Sequence, residues 1–147
     1  MFDDSISCLG NVKIKVLDQD GKVKEERDLK NLVVSTGLNY ICSRMKDATA
    51  TAMSHMAIGT GTTAAAAGDT ALGSQLDIQS LTSTTVSTNT IQYVASFGTG
   101  LTGAVTESGI FNAASSGTML CRVVFSAVNL SSTDTLQVTW TLTLSAS

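Results

Sequence analysis

Chemistry at neutral pH depends on a few side-chain types, and this sequence is sparing with them. Its one histidine, His55, sits in Met53-Ser54-His55-Met56-Ala57-Ile58. A single imidazole excludes His-rich metal sites and mechanisms that need two. With no carboxylate beside it in sequence, His55 reads as a structural or surface residue. Gly59-Thr60-Gly61-Thr62-Thr63 is glycine-rich but lacks the Gly-Lys-Ser/Thr ending of a phosphate loop and opens no helix, so it reads as a turn. Asp77 and Glu107 are isolated acids. Acid–base work by a carboxylate pair needs two that meet in space. Glu107 is expected instead to accept backbone N–H groups near Ser108-Gly109 or to pair with Arg122. Asp18-Gln19-Asp20-Gly21 begins like a calcium loop, yet the twelfth position is Leu29 where such a loop needs Glu. Cys8, Cys42 and Cys121 are odd in number and form no CxxC. They are expected to be reduced thiols, mostly buried as small hydrophobes. The expectation is a protein that is not an enzyme, with no cofactor, no metal and no small-molecule substrate.

The whole composition agrees with that. The chain has 147 residues, a formal net charge of −3 and no proline. That length suits one folded unit. A net negative charge argues against a nucleic-acid partner. The start, Met-Phe-Asp-Asp, is acidic where a signal peptide is basic, and the weakly charged stretch Ala48–Gly68 is too polar to span a bilayer, so no membrane partner is expected. Charge is distributed unevenly. Of the 21 Asp, Glu, Lys and Arg residues, 16 fall within residues 1–47, and only Asp69, Asp77, Glu107, Arg122 and Asp134 follow. Ser and Thr, 39 in all, must cover much of the remaining surface. Such a surface either faces water or packs on copies and partners, because interface cores are depleted in charge.

The elements that carry these residues are mostly strands. Val12, Ile14 and Val16 alternate with Lys13, Lys15 and Leu17, Asp18–Gly21 makes a turn, and the return strand Lys22–Leu29 is dominated by charge. A strand so charged resists further pairing at a sheet edge. Residues 1–30 are expected to form this charged arm or hairpin, and 31–147 the main body, the two making one compact unit. Ser35–Lys46 reads as the one helix, capped by Ser35 or Thr36, with Leu38, Ile41, Cys42 and Met45 as its apolar stripe and Arg44 and Lys46 in its last turn. Strands are expected at Met53–Ile58, Leu76–Thr85, Thr90–Thr99, Val105–Asn112 and Met119–Val128, with a loop over Thr60–Ala71. The strongest signal comes last: Leu136, Val138, Trp140, Leu142 and Leu144 alternate with Gln137, Thr139, Thr141 and Thr143. Five apolar side chains on one face require an opposing layer. The fold class is mainly β: an antiparallel β-sandwich or jelly-roll-like domain with one short helix at about 35–46.

One resemblance runs along most of the body. Met56-Ala57-Ile58-Gly59-Thr60-Gly61-Thr62-Thr63, then Gly68-Asp69-Thr70-Ala71-Leu72-Gly73, is similar to a segment that recurs in small virion proteins of tailed bacteriophages. So are Ala104–Ala113, Ser116–Arg122, Asp134–Trp140 and the upstream Asn31–Leu38, giving a span of about 31–145. The resemblance implies a head decoration (cement) protein or a tail or fibre protein, located in the virion and assembled in the host cytoplasm. It carries no catalytic residue. Its implied partners are the major capsid protein and further copies of the chain, as a homotrimer or homodimer. Capsid contacts are expected on the charged hairpin, at Lys13, Lys15, Lys22, Lys24, Arg27 and Lys30, and self-contacts on the charge-poor β faces. A tail fibre, collar or baseplate component is the alternative. A carbohydrate-binding module is a further one, and it would need exposed rings among Phe2, Tyr40, Tyr93, Phe97, Phe111, Phe125 and Trp140.

Overall fold

The computed structural model describes residues 5–146; the acidic start and Phe2 lie outside the described residues. In chain order the elements are β1 (Ile6–Leu17), β2 (Val23–Lys30), β3 (Leu32–Val33), α1 (Ser35–Lys46), β4 (His55–Gly59) and β5 (Gln75–Ser80). They continue as β6 (Ser83–Ser87), β7 (Thr90–Phe97), β8 (Gly103–Phe111), β9 (Met119–Leu130) and β10 (Thr135–Ala146). They form two five-stranded antiparallel sheets, ordered β2-β1-β10-β7-β6 (sheet A) and β3-β9-β8-β4-β5 (sheet B). This is a sandwich, as the alternating patterns require.

Sheet A is built on the two longest alternating runs. β1 and β10 pair along their full length, from Ile6 opposite Ala146 to Leu17 opposite Thr135. The charged hairpin is therefore continuous with the sheet through β1. Its inward side chains line up in rows across three strands: Val12, Trp140 and Tyr93; Ile14, Val138 and Ala95; Val16, Leu136 and Phe97. All nine are buried, and each large one removed from water contributes about 1.5–3 kcal/mol. Met56, Ile58, Ile110, Cys121 and Val123 of sheet B join them in the same core. The turn between β1 and β2 closes locally. Asp18 Oδ1 accepts the N–H groups of Asp20 and Lys22 at 2.9 Å each, and Gly21 takes φ +81°.

Several expectations need correction. The stretch Leu76–Thr85 is two strands in different sheets: β5 belongs to sheet B and β6 to sheet A. The chain changes sheet at Leu81-Thr82, where Leu81 N–H donates to Ser54 O at 2.8 Å and Thr82 N–H to Val94 O at 2.7 Å. The helix has the expected bounds but turns a different face inward. Gly37 is its buried residue, while Leu38, Cys42 and Met45 are exposed, Met45 at 80%. The cause is Gly37, whose missing side chain lets the helix backbone rest on the Leu120 carbonyl of β9; a Cβ there would collide with it. That contact directs Tyr40 and, of the predicted stripe, Ile41 alone onto the core. Nor do Ser35 and Thr36 cap the helix. Val34 is the N-cap residue and makes no side-chain cap, and the Thr36 hydroxyl donates instead to Met119 O at 2.9 Å. Among the cysteines only Cys121 is fully buried.

Candidate functional site

The cations of the hairpin divide into two groups. Arg27 projects from the edge strand β2 toward sheet B. Its guanidinium donates to Ser126 O at 2.7 Å, Ser126 Oγ at 2.6 Å and Ala127 O at 3.0 Å, and to Glu25 Oε1 at 2.6 Å. It closes the side of the sandwich between β2 and β9. Lys24 Nζ lies 2.9 Å from Asp134 Oδ2, and Asp134 also accepts Ser131 N–H at 2.9 Å. The Ser131 N–H and the Lys24 ammonium hold the Asp134 carboxyl below its ordinary value. Lys13 pairs with Glu26 at 3.2 Å on a half-exposed surface, where such a pair adds little stability. Lys15, Lys22 and Lys30 form no ion pair among the described residues; Lys22 and Lys30 are exposed and Lys15 half-buried.

Glu107, Asp69 and the glycine-rich loop meet on the outer face of sheet B, whereas Asp77 on β5 accepts Gln79 Nε2 at 2.9 Å. Glu107 on β8 is fully buried with Arg122 on β9. Glu107 Oε1 accepts Gly61 N–H and Ser74 N–H at 2.8 Å each. Oε2 accepts Gly73 N–H at 2.9 Å and Arg122 Nη2 and Nε at 2.8 and 3.1 Å. Arg122 also donates to Asp69 Oδ2 at 2.7 Å and Thr63 O at 3.0 Å. Burial pushes the Glu107 carboxyl up, but the N–H groups of Ser74 and Gly73, the Arg122 guanidinium and Gly61 outweigh it and hold it low. The glycines are steric requirements here. A Cβ on Gly61 would lie 2.5 Å from Glu107 Oε1, and one on Gly59 would lie 2.6 Å from the same atom.

This cradle resembles a phosphate loop in composition because it does the same physical work, surrounding an anion with backbone N–H groups. The anion is the protein's own carboxylate. Of the two expectations for Glu107, the Arg122 pair is present, and the backbone donors are Gly61, Gly73 and Ser74 rather than Ser108-Gly109. The loop of residues 60–74 is thereby pinned over sheet B. It shelters a second apolar cluster of Val34, Ala57, Phe111 and Met119, with Leu72 packed on it. Sequence reading missed this covering role and the part of Asp69 in it. A signal was present, since a lone Glu in a charge-poor strand must find a partner if the strand is buried.

The remaining candidates are structural. His55, the first residue of β4, holds its Nδ1 2.8 Å from Ser54 Oγ. Of the aromatic rings, Tyr93, Phe97, Phe111, Phe125 and Trp140 are buried. Only Tyr40 among the described ones is partly exposed, so these rings form no stacking platform for a sugar. An apolar groove of about 370 Å³ lies between α1 and sheet A, lined by Tyr40, Met45, Tyr93, Leu142 and Leu144.

The outer face of sheet A is different in kind. β6, β7 and β10 contain no charged residue. Gln137, Thr139, Thr141 and Thr143 form the middle row, and Gln92, Val94, Ser96 and Thr85 extend it toward the β6 edge. Among the described residues no loop covers this face, and all of β6 is exposed. Comparison with known proteins finds no matching family model, no similar curated protein and no similar solved structure.

Proposed function

We propose that the chain is a structural protein of a tailed-phage virion, a capsid decoration or cement protein that binds the outside of an assembled head and joins neighbouring major capsid subunits. Two things support the reading: the resemblance along residues 31–145, and the uncharged outer face of β10, β7 and β6. The second carries most weight. Three adjacent strands free of charge cost little to desolvate, and short Ser and Thr side chains lose little rotamer freedom when covered. On a symmetric lattice many such modest contacts add. The ammonium groups of Lys15, Lys22 and Lys30, which form no ion pair among the described residues, are the hairpin's available docking charges. Lys24 and Arg27 are engaged by the protein's own Asp134 and β9.

A stain-calibrated gel of purified particles tests the assignment. Hundreds of copies per particle fit a head protein. A handful assigns the chain to a fibre, collar or baseplate, and absence from the particle overturns the proposal. Replacing Lys15, Lys22 and Lys30 together by Glu tests the docking charges. Capsid binding that is unchanged across a salt series would remove the hairpin from the interface.

A further inference from the structure

Among the described residues the sandwich has four outermost strands, and three of them are blunted. β2 carries Lys24, Glu25, Glu26, Arg27, Asp28 and Lys30. β3 is two residues long. β5 carries Asp77 and is irregular opposite Gly59. Charge, shortness and bulges are the usual protections of a sheet edge. β6 has none of them. Its five residues, Ser83-Thr84-Thr85-Val86-Ser87, are uncharged, exposed and paired in unbroken register with β7.

The register fixes which backbone groups are free. Ser87 and Thr90 flank a two-residue loop, so they are the hydrogen-bonded closing pair of the hairpin. By alternation Thr85 bonds to Gln92, and Thr84 and Val86 turn their N–H and C=O groups away from β7, where sheet A has no further strand among the described residues. Val86 shows the same lack of a partner in its side chain. It lies opposite Ile91, on the core-facing side of sheet A, yet is 70% exposed.

We propose that β6 pairs antiparallel with β6 of a second copy, about a twofold axis through Thr85. In that register Thr84 faces the partner's Val86 and Val86 the partner's Thr84. Each of the two pairs exchanges both N–H···O=C bonds, and the Thr85 side chains stand side by side on the outer face. The two A sheets become one continuous sheet, and each Val86 gains a cross-strand neighbour. A second copy fits better than a charged partner strand, because an uncharged edge meets its own image with no repulsion, and a twofold contact closes on itself. The pairing does not depend on the virion reading.

The test uses the whole chain in solution. Light scattering over a rising concentration series should show a dimer, and the amide protons of Thr84 and Val86 should become protected from exchange as the dimer forms. Thr85→Lys and Thr85→Glu each set like charges directly opposite one another and should weaken the dimer about tenfold or more. An equal mixture of the two variants should restore it. Val86→Pro removes an outward N–H while leaving the bonds to β7 intact, and should give a folded monomer. A wild-type chain that stays monomeric at high micromolar concentration overturns the proposal, as does a dimer indifferent to all three variants. Protection of Thr84 and Val86 only on assembled particles would assign the edge to another protein's strand; it overturns self-pairing and leaves the virion reading standing.

Discussion

The two sheets turn very different outer faces away from their shared core. Sheet A carries the charged hairpin at one end, in β1 and β2, but its β10, β7 and β6, like β8, β9, β4 and β5 of sheet B, come from the part of the chain that is short of charge. Sheet B is covered by the chain's own loop of residues 60–74, held by Glu107, Arg122 and Asp69. Sheet A is left uncovered across β10, β7 and β6 among the described residues. A scarcity of charged residues therefore has two physical meanings within one protein. On sheet B it marks a surface already occluded from within. On sheet A it marks a surface open to something else.

The largest expected effect comes from unpinning the loop. Arg122→Met leaves the buried Glu107 without its counter-ion, and Glu107→Gln leaves Arg122 with a weakened one. Each should cost about 3–5 kcal/mol in urea unfolding and admit protease to residues 60–74. Combining Glu107→Gln with Arg122→Met should cost less than the two single losses added together, because each single change already breaks the same ion pair. If the single variants prove neutral, sheet B is no better protected than sheet A and the contrast fails.

A smaller effect is expected at Gly61. Gly61→Ala forces a methyl against the Glu107 carboxylate and should cost about 1–3 kcal/mol. Acid should act on the same cluster. The Glu107 carboxyl is held below its ordinary value of 4.5 and that of Asp69 below 3.8, so their contribution is present above those values and is lost as pH falls through the depressed ones. A stability profile measured against pH should drop on the acid side, and Glu107→Gln should flatten that drop. The smallest effect on folding belongs to sheet A. Thr141→Lys on the bare face should change stability by no more than about 0.5 kcal/mol while reducing particle binding. A large loss of stability there would mean that this face too is covered.

The legible part of the fold was the part governed by short-range periodicity. The unbroken alternation from Leu136 to Leu142, the Val12–Val16 run and the Ser35–Lys46 helix all stand where their patterns put them. What stayed hidden depends on partners far along the chain. No local pattern distinguishes β5 from β6, because both are short and half polar and only their neighbours differ. The inward face of α1 was hidden for a similar reason, since it is chosen by a close approach at Gly37 rather than by its largest hydrophobes. The cradle was half visible. The glycines at 59, 61 and 73 and the isolated Glu107 were each noticeable, but nothing in the order of residues says that the chain folds back to bring them together. Trp140 was readable because alternation places it inward with Leu136, Val138 and Leu142.

The pairing of Ile6 with Ala146 has a practical corollary. Neighbouring antiparallel strands bring Ile6 and Ala146 side by side, and farther along the same ladder Cys8 and Leu144 line the groove beside α1. Labels placed at Ile6 and Ala146 would therefore stay beside each other only while β1 remains paired with β10, and would report any opening of that seam.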